Sequence, residues 1–209
     1  MTQGTRARDN SLMTIFEWCV ALAALVGVFW ASGALQRLRR LRAAVADRYA
    51  ALDEALMRYT LWTQGCLPSG IRMDFLTQPA PLEPPPLEAG TAWVRLQGAL
   101  TQYMEALARA RRSPLMESET TAALVLAHGT LTAAWHGAMR ERGADQQPPT
   151  ERLQLRHGRL LSQCVPLRDA YNEAAKTYNA AIAQFPALLL ARLFKLRPAG
   201  NLLRLTLEP

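Results

Sequence analysis

The chain contains, at residues 18–35, the uncharged run WCVALAALVGVFWASGAL. At a rise of about 1.5 Å per residue, this run and the four residues before it can cross a hydrocarbon core of about 30 Å. Trp18 and Trp30 lie toward its two ends, where indole rings favour the membrane interface. The run therefore predicts a transmembrane helix over residues 14–36.

A cleavable signal peptide is the alternative interpretation of this run, because residues 31–33 are small and follow an apolar stretch. Residues 1–13, a short N-terminal tail, carry only two arginines, offset by one aspartate. Arginine is much denser after the run, at Arg37, Arg39, Arg40, Arg42 and Arg48. Because basic residues resist translocation, this asymmetry favours a retained span with the N-terminus outside and the body in the cytoplasm.

The basic cluster, defined here as Arg37, Arg39, Arg40 and Arg42, has two compatible interpretations. The favoured one is a topological stop signal that keeps this end of the span in the cytoplasm. The other is a contact with anionic lipid headgroups, worth about 1 kcal/mol for each arginine. The lipid bilayer is thus the predicted partner of this part of the chain.

Composition limits the remaining classes of protein. The chain has 209 residues, 50% of them hydrophobic, and a formal charge of +7, which suits one folded domain with an appendage rather than a disordered chain. Cys19, Cys66 and Cys164 are too far apart for a metal or disulfide motif and are interpreted as small apolar residues. The basic charge does not indicate nucleic-acid binding, because no recognisable module accompanies it.

Beyond the span, apolar residues recur at separations of three and four, which predicts an all-α fold. The span continues into a first helix that ends near residues 65–70, and a proline-rich connection, a spacer or PxxP ligand, covers residues 68–90. Three more helices are predicted over residues 87–112, 116–142 and 151–187, the last with a kink or restart at Pro166. Together, residues 37–187 predict an elongated antiparallel four-helix bundle.

Each of the first three predicted helices has one apolar stripe. These stripes are Leu38, Leu41, Val45, Tyr49, Leu52, Leu56 and Tyr59; Trp93, Leu96, Leu100, Tyr103 and Leu107; and Leu124, His128, Leu131, Trp135 and Met139.

The C-terminal tail, residues 188–209, is basic and rich in leucine. It suits an interfacial segment, a helix that docks on a partner, or a cover for the base of the bundle, and these alternatives stay open.

The most specific stretch is AYNEAAKTYNAAIAQFP, at residues 170–186. Its apolar residues alternate four and three apart along a heptad stripe typical of coiled coils: Tyr171, Ala175, Tyr178, Ile182 and Phe185. An Asn next to each Tyr can fix the helix register by hydrogen bonding.

In this stretch the chain resembles a divergent member of the LemA family of bacterial membrane-anchored proteins, whose last long helix carries a YN, YN, FP signature. The matching residues are Tyr171, Asn172, Tyr178, Asn179, Phe185 and Pro186. The resemblance implies an N-terminal transmembrane helix, a short external N-terminus and an elongated helical bundle. It also implies a role, not established at the molecular level, linked to membrane or organelle assembly or to membrane proteases. It brings no catalytic residue, so the six residues are interpreted as structural.

Catalytic chemistry is not indicated by any motif. His128 and His136 are eight residues apart without an HExxH pattern, and His157 and Cys164 are too far apart for a nucleophile and base on one helix. No cofactor or metal is predicted. We expect a scaffold or interaction protein of the cytoplasmic membrane with an unknown membrane or cytoplasmic protein partner. The alternatives are an envelope-facing module that modulates a membrane protease or membrane assembly, and an unrecognised membrane enzyme.

Overall fold

The computed structural model describes residues 4–68, 91–113, 115, 118–142, 148–205 and 207, with side chains from residue 18 onward. These residues form five α-helices and no strand, so the predicted all-α class is confirmed. The helices are α1 (Gly4–Gly65), α2 (Thr91–Arg112), α3 (Ser118–Glu141), α4 (Thr150–Ala183) and α5 (Ala187–Leu193). The prolines predicted to form a spacer or a PxxP ligand, apart from Pro68, lie outside the described residues.

Helix α1 joins the apolar run to the core of the protein. It begins at Gly4, ten residues before the predicted start of the span, and continues without a break to Gly65. It is long and apolar enough to cross a membrane, with a mean hydropathy of 1.9 over its most apolar window, none of which is buried. The prediction that the apolar run continues directly into the first core helix is confirmed.

The predicted stripes form one hydrophobic core. In α1, burial begins at Leu38 and continues through Val45 and Leu52 to Tyr59, whereas the preceding apolar run is exposed. The predicted stripes of α2 and α3 are buried over their whole length. Three leucines of the tail join the same core: Leu202, Leu205 and Leu207.

The helices pack mainly as two antiparallel pairs. In the pair α1 and α4, the ring of Tyr49 lies 6.0 Å from that of Tyr171, and the ring of Tyr59 lies 5.4 Å from that of His157. Residues later in α1 therefore contact residues earlier in α4, so the two helices run in opposite directions.

The pair α2 and α3 is held at one end by a carboxylate. Glu141 Oε2, in the last turn of α3, accepts a hydrogen bond of 2.9 Å from the backbone N–H of Ala92, in the first turn of α2. A carboxylate is favourable at this end of a helix because the free N–H groups there carry partial positive charge. Between the two pairs, Arg111 Nε donates to both carboxylate oxygens of Asp53, at 2.9 and 2.8 Å.

Helix α4 continues through Pro166, so of the predicted kink or restart, the restart is wrong. Pro166 lacks the N–H that would bond the carbonyl four residues earlier, but its ring is exposed and blocks no packing. Leu161 and Cys164, just before it, are completely buried. Packing on both sides of the proline stabilises the helix across the missing hydrogen bond.

Candidate functional site

The repeated YN pairs of α4 hold the C-terminal tail by its main chain. The Asn179 side chain binds both backbone groups of Ala199: its Nδ2 donates to the carbonyl oxygen at 2.9 Å, and its Oδ1 accepts from the N–H at 2.8 Å. Two turns earlier in α4, Asn172 Oδ1 accepts a hydrogen bond of 2.9 Å from the N–H of Leu202. Each asparagine thus satisfies backbone groups of a segment that has no helix or sheet partner.

The two tyrosines bind the same segment. The hydroxyl of Tyr178 donates to the carbonyl of Arg197 at 3.2 Å, and the hydroxyl of Tyr171 donates to the carbonyl of Gly200 at 2.9 Å. Arg168 Nη1 adds a hydrogen bond of 2.8 Å to the carbonyl of Leu205. We call the five side chains the tail clamp: Arg168, Tyr171, Asn172, Tyr178 and Asn179.

The rise of the helix over the seven-residue repeat matches the length of three residues of the bound tail. Seven residues advance a helix by about 10.5 Å at about 1.5 Å per residue. The main-chain partners of Asn179 and Asn172 are three residues apart, as are those of the two tyrosines, and three extended residues span about 10 Å. Tail and helix run antiparallel, so one YN pair binds each three-residue step of the tail.

Burial supports the clamp. Leu202, Leu205 and Leu207 are fully buried, and the backbone N–H of Gly200 donates to the carbonyl of Leu115, in the connection between α2 and α3, at 3.1 Å. Of the alternatives predicted for the tail, different ones therefore apply to different parts of it. The part from Arg197 to Leu205 covers the bundle, whereas α5 exposes Leu189 and Leu193.

The clamp tyrosines stay protonated over the physiological pH range. Burial raises the pKa of Tyr171 to about 12. Burial also raises the pKa of Tyr178, with a smaller opposing effect from the charge of Arg42. Because each hydroxyl is a hydrogen-bond donor to the tail, the clamp needs this protonated form.

The FP part of the motif faces outward. Phe185 is 80% exposed, so the expectation that it continues the buried heptad stripe is wrong. The reason is that α4 ends at Ala183, and the residues beyond it leave the helical phase. Together with Pro186, which follows a cis peptide bond, Phe185 lines a groove of about 510 Å³ whose other wall includes Trp30 and Arg37 of α1.

The basic cluster lies on the exposed surface of α1, immediately after the apolar run. All four arginines are exposed, and no ion pair joins them to another described residue. Arg37 lines the groove beside Phe185, and Arg39 lines a neighbouring groove of about 480 Å³ beside Phe29. The structure therefore brings the basic cluster to the same end of the bundle as the FP residues, while the YN residues are buried or, at Asn179, half-buried against the tail.

A second polar cluster lies between α1, α3 and α4. The Tyr59 hydroxyl and His157 Nε2 are 3.0 Å apart, and the Trp135 ring stacks on His157 at 4.5 Å with an interplanar angle of 4°. Burial, with smaller effects from His136 and His128, lowers the pKa of His157 to about 4. At neutral pH this imidazole is therefore uncharged.

A buried cysteine lies beside this second cluster, close enough to Tyr59 to affect its hydroxyl electrostatically. Cys164 is free and buried, and burial raises its pKa to about 11, so its sulfur is the unreactive thiol at neutral pH. Among the residues that the structure describes, no group of three or more His, Cys, Asp or Glu side chains could hold a metal ion. An open groove of about 600 Å³ lies beside Trp135 and His136.

Two features of these sites were not predicted from the sequence. Arg168 was not singled out, although Arg168, Asn172 and Asn179 form a polar stripe, four and seven residues apart, beside the aromatic stripe. This polar stripe is the sequence pattern from which a shared role of Arg168 with the two asparagines could be predicted. The Tyr59 and His157 contact joins residues 98 positions apart, for which a single sequence holds no local signal.

Comparison with known proteins adds no relative. No protein-family model, curated protein or solved structure matches the chain. The geometry of the tail clamp, the basic cluster and the apolar run therefore carries the functional argument.

The tail clamp gives a direct prediction. Replacing Asn179 by Ala removes two hydrogen bonds to Ala199 and should weaken tail docking by about 1–3 kcal/mol. The measurement is amide hydrogen exchange of the full chain, in which the N–H groups of Ala199 and Leu202 should exchange faster. Lys176→Ala, at a 79% exposed position of the same helix, is the matched control and should leave both rates unchanged. Unchanged protection in Asn179→Ala would show that the asparagine does not hold the tail.

Proposed function

We propose that this protein is a membrane-anchored, LemA-like scaffold or interaction protein of the bacterial cytoplasmic membrane, without catalytic chemistry. The observation that carries the proposal is the division of α1. No described residue buries its apolar run, while the part of the same helix from Leu38 onward forms part of the core. An exposed apolar surface of this size indicates a lipid or protein environment.

The finer architecture is part of this proposal. α1, α2, α3 and α4 form an elongated antiparallel four-helix bundle that stands on the membrane, with residues 14–36 as its single span. The antiparallel contacts within each helix pair and the Asp53–Arg111 ion pair between the pairs support this arrangement. The match of the YN, YN, FP residues supports membership of the LemA family.

The orientation follows from the charges beside the span. The exposed basic cluster has no acidic partner among the described residues, so its four charges resist transfer through the membrane. We therefore place the N-terminus outside and the bundle in the cytoplasm. The envelope-facing module that acts on a membrane protease or on membrane assembly remains the second candidate, and it requires the reverse orientation.

A thiol-labelling experiment tests the proposal. Cys19 and Cys66 are replaced by Ser, while Cys164 stays because it is fully buried. Single cysteines are then introduced as Thr2→Cys and, at an exposed position of α4, as Lys176→Cys. In spheroplasts exposed to a membrane-impermeant maleimide, we expect labelling at position 2 only, with position 176 labelled after lysis.

The other outcomes are equally decisive. Labelling at position 176 alone would overturn the orientation and move the search for partners to the envelope. Labelling of both positions only after lysis, with release of the protein by alkaline carbonate, would overturn the transmembrane anchor. The parent with Cys164 alone is the control and should stay unlabelled until it is denatured.

A further inference from the structure

Helix α5 and the residues that flank it expose an apolar surface. We define the α5 patch as Phe185, Leu189, Leu193 and Phe194, which are 80%, 57%, 73% and 48% exposed. The first three are four residues apart in sequence. Nearby Leu190 and Ala191 are buried, so the helix has one face on the protein and one face that no described residue covers.

The patch lies where the apolar run of α1 gives way to arginine. Phe185 shares a groove with Phe29, Trp30 and Arg37, and α5 contacts α1 directly. If residues 18–35 cross a bilayer, this transition marks the interface between hydrocarbon and headgroups. Phe185, at one end of the patch, is therefore at the height at which apolar side chains on a surface helix enter a membrane.

The charges around the patch suit an anionic surface. Arg192 and Lys195 are exposed beside it, and the segment 187–207 contains no acidic residue. Arg37 and Arg39 of α1 lie at the same end of the bundle. A helix with an apolar face and flanking cations is typical of segments that lie in the headgroup region of anionic membranes.

The tail clamp keeps α5 in place. The helix is short, and it lies between the end of α4 at Ala183 and the clamped segment that begins at Arg197. Both of its flanking segments are thus attached to α4. This attachment presents the exposed face without the loss of conformational freedom that ordering a loose tail would require.

We propose that the α5 patch inserts into the headgroup region of an anionic bilayer, as a second membrane contact beside the span of the same molecule. This inference rests on the proposed membrane anchor. A lipid occupant is favoured over a protein because the patch is continuous with the apolar run and is bordered by basic side chains. The two contacts fix the bundle at two points of one membrane surface.

Spin labels on the full chain test the inference. The protein, with Cys19 and Cys66 replaced by Ser, is placed in nanodiscs that contain phosphatidylglycerol, and a nitroxide is attached at Leu193→Cys. The accessibility of the label to oxygen, which concentrates in lipid, is compared with its accessibility to a water-soluble nickel chelate. Leu203→Cys and Leu126→Cys, at leucines that are 70% and 69% exposed, are the matched controls.

We expect the label at position 193 to be several-fold less accessible to the nickel chelate than the labels at positions 203 and 126, and more accessible to oxygen. The protection should weaken in discs of phosphatidylcholine alone. Equal protection in both lipids would overturn the role of the basic residues. Low accessibility to both reagents at position 193 would overturn the inference in favour of a protein neighbour.

A label in the apolar run separates this inference from the proposed anchor. Val28, which is 70% exposed, is replaced by Cys and labelled in the same discs. If position 28 is in lipid and position 193 is accessible to the chelate, only the α5 contact fails. If both positions are accessible to the chelate, the membrane anchor itself fails.

Discussion

Replacing Trp135 by Ala should lower the free energy of unfolding by about 3–5 kcal/mol, the usual cost of removing a large aromatic side chain from a core. Trp135 is completely buried in α3. Its ring stacks on His157 of α4 at 4.5 Å and lies 5.4 Å from the ring of Trp62 in α1. It therefore joins three helices, and its loss leaves a cavity between them.

Urea unfolding of the full chain in detergent micelles, followed by far-UV circular dichroism, measures this effect. Leu126→Ala is the matched control, because this leucine lies in the same helix but is 69% exposed. It should change the free energy of unfolding by less than about 0.5 kcal/mol. Parental stability in Trp135→Ala would contradict the contact of α3 with α4.

Acid should destabilise the fold through His157. Its pKa is lowered from the ordinary 6.5 to about 4, chiefly because it is buried. Above pH 6.5 the imidazole is neutral in both states, so the fold keeps its full stability. Between pH 6.5 and 4 the unfolded chain binds a proton that the folded chain does not, and stability falls by about 3 kcal/mol at most.

The groups around His157 explain the direction of this change. The Tyr59 hydroxyl of α1 hydrogen-bonds to its Nε2, and the Trp135 ring covers one face of the imidazole. His136 and His128 of α3 disfavour a positive charge on His157. No carboxylate contributes to its pKa shift, so protonation in the folded state brings no compensating ion pair.

The pH dependence is measured as urea unfolding at a series of pH values. His157→Gln keeps a polar side chain beside Tyr59 but cannot titrate, so its stability should fall less than that of the parent between pH 6.5 and 4. His136→Gln, at an exposed position, should keep most of the parental slope. Parallel slopes for the parent and His157→Gln would show that His157 is protonated normally in the fold.

The sequence predicted those parts of the fold that depend on local periodicity. The stripe from Trp93 to Leu107 and the stripe from Leu124 to Met139 both became buried helix faces, because spacing of three and four places them on one side of a helix. The unbroken course of α4 through Pro166 does not follow from local periodicity. It depends on whether packing stabilises the helix across the proline, and packing is a tertiary property.

The candidate site was predictable as a set of residues but not as an arrangement. Tyr171, Asn172, Tyr178 and Asn179 stood out by their repeat, yet their partners are main-chain atoms of the tail, and main-chain atoms have no sequence signature. Phe185 followed the heptad phase in sequence and left it in space, because the helix ends two residues earlier.

The unbroken course of α1 couples the angular position of the bundle to that of the apolar run. Between Leu35 and Leu38, the first core leucine, the backbone is regular helix. One residue inserted there would turn the whole core by about 100° about the helix axis and move it by about 1.5 Å. The two residues between these leucines therefore fix the angle by which the bundle is rotated relative to the apolar run. This angle decides which flank of the bundle, and hence which of its grooves, faces another molecule beside it.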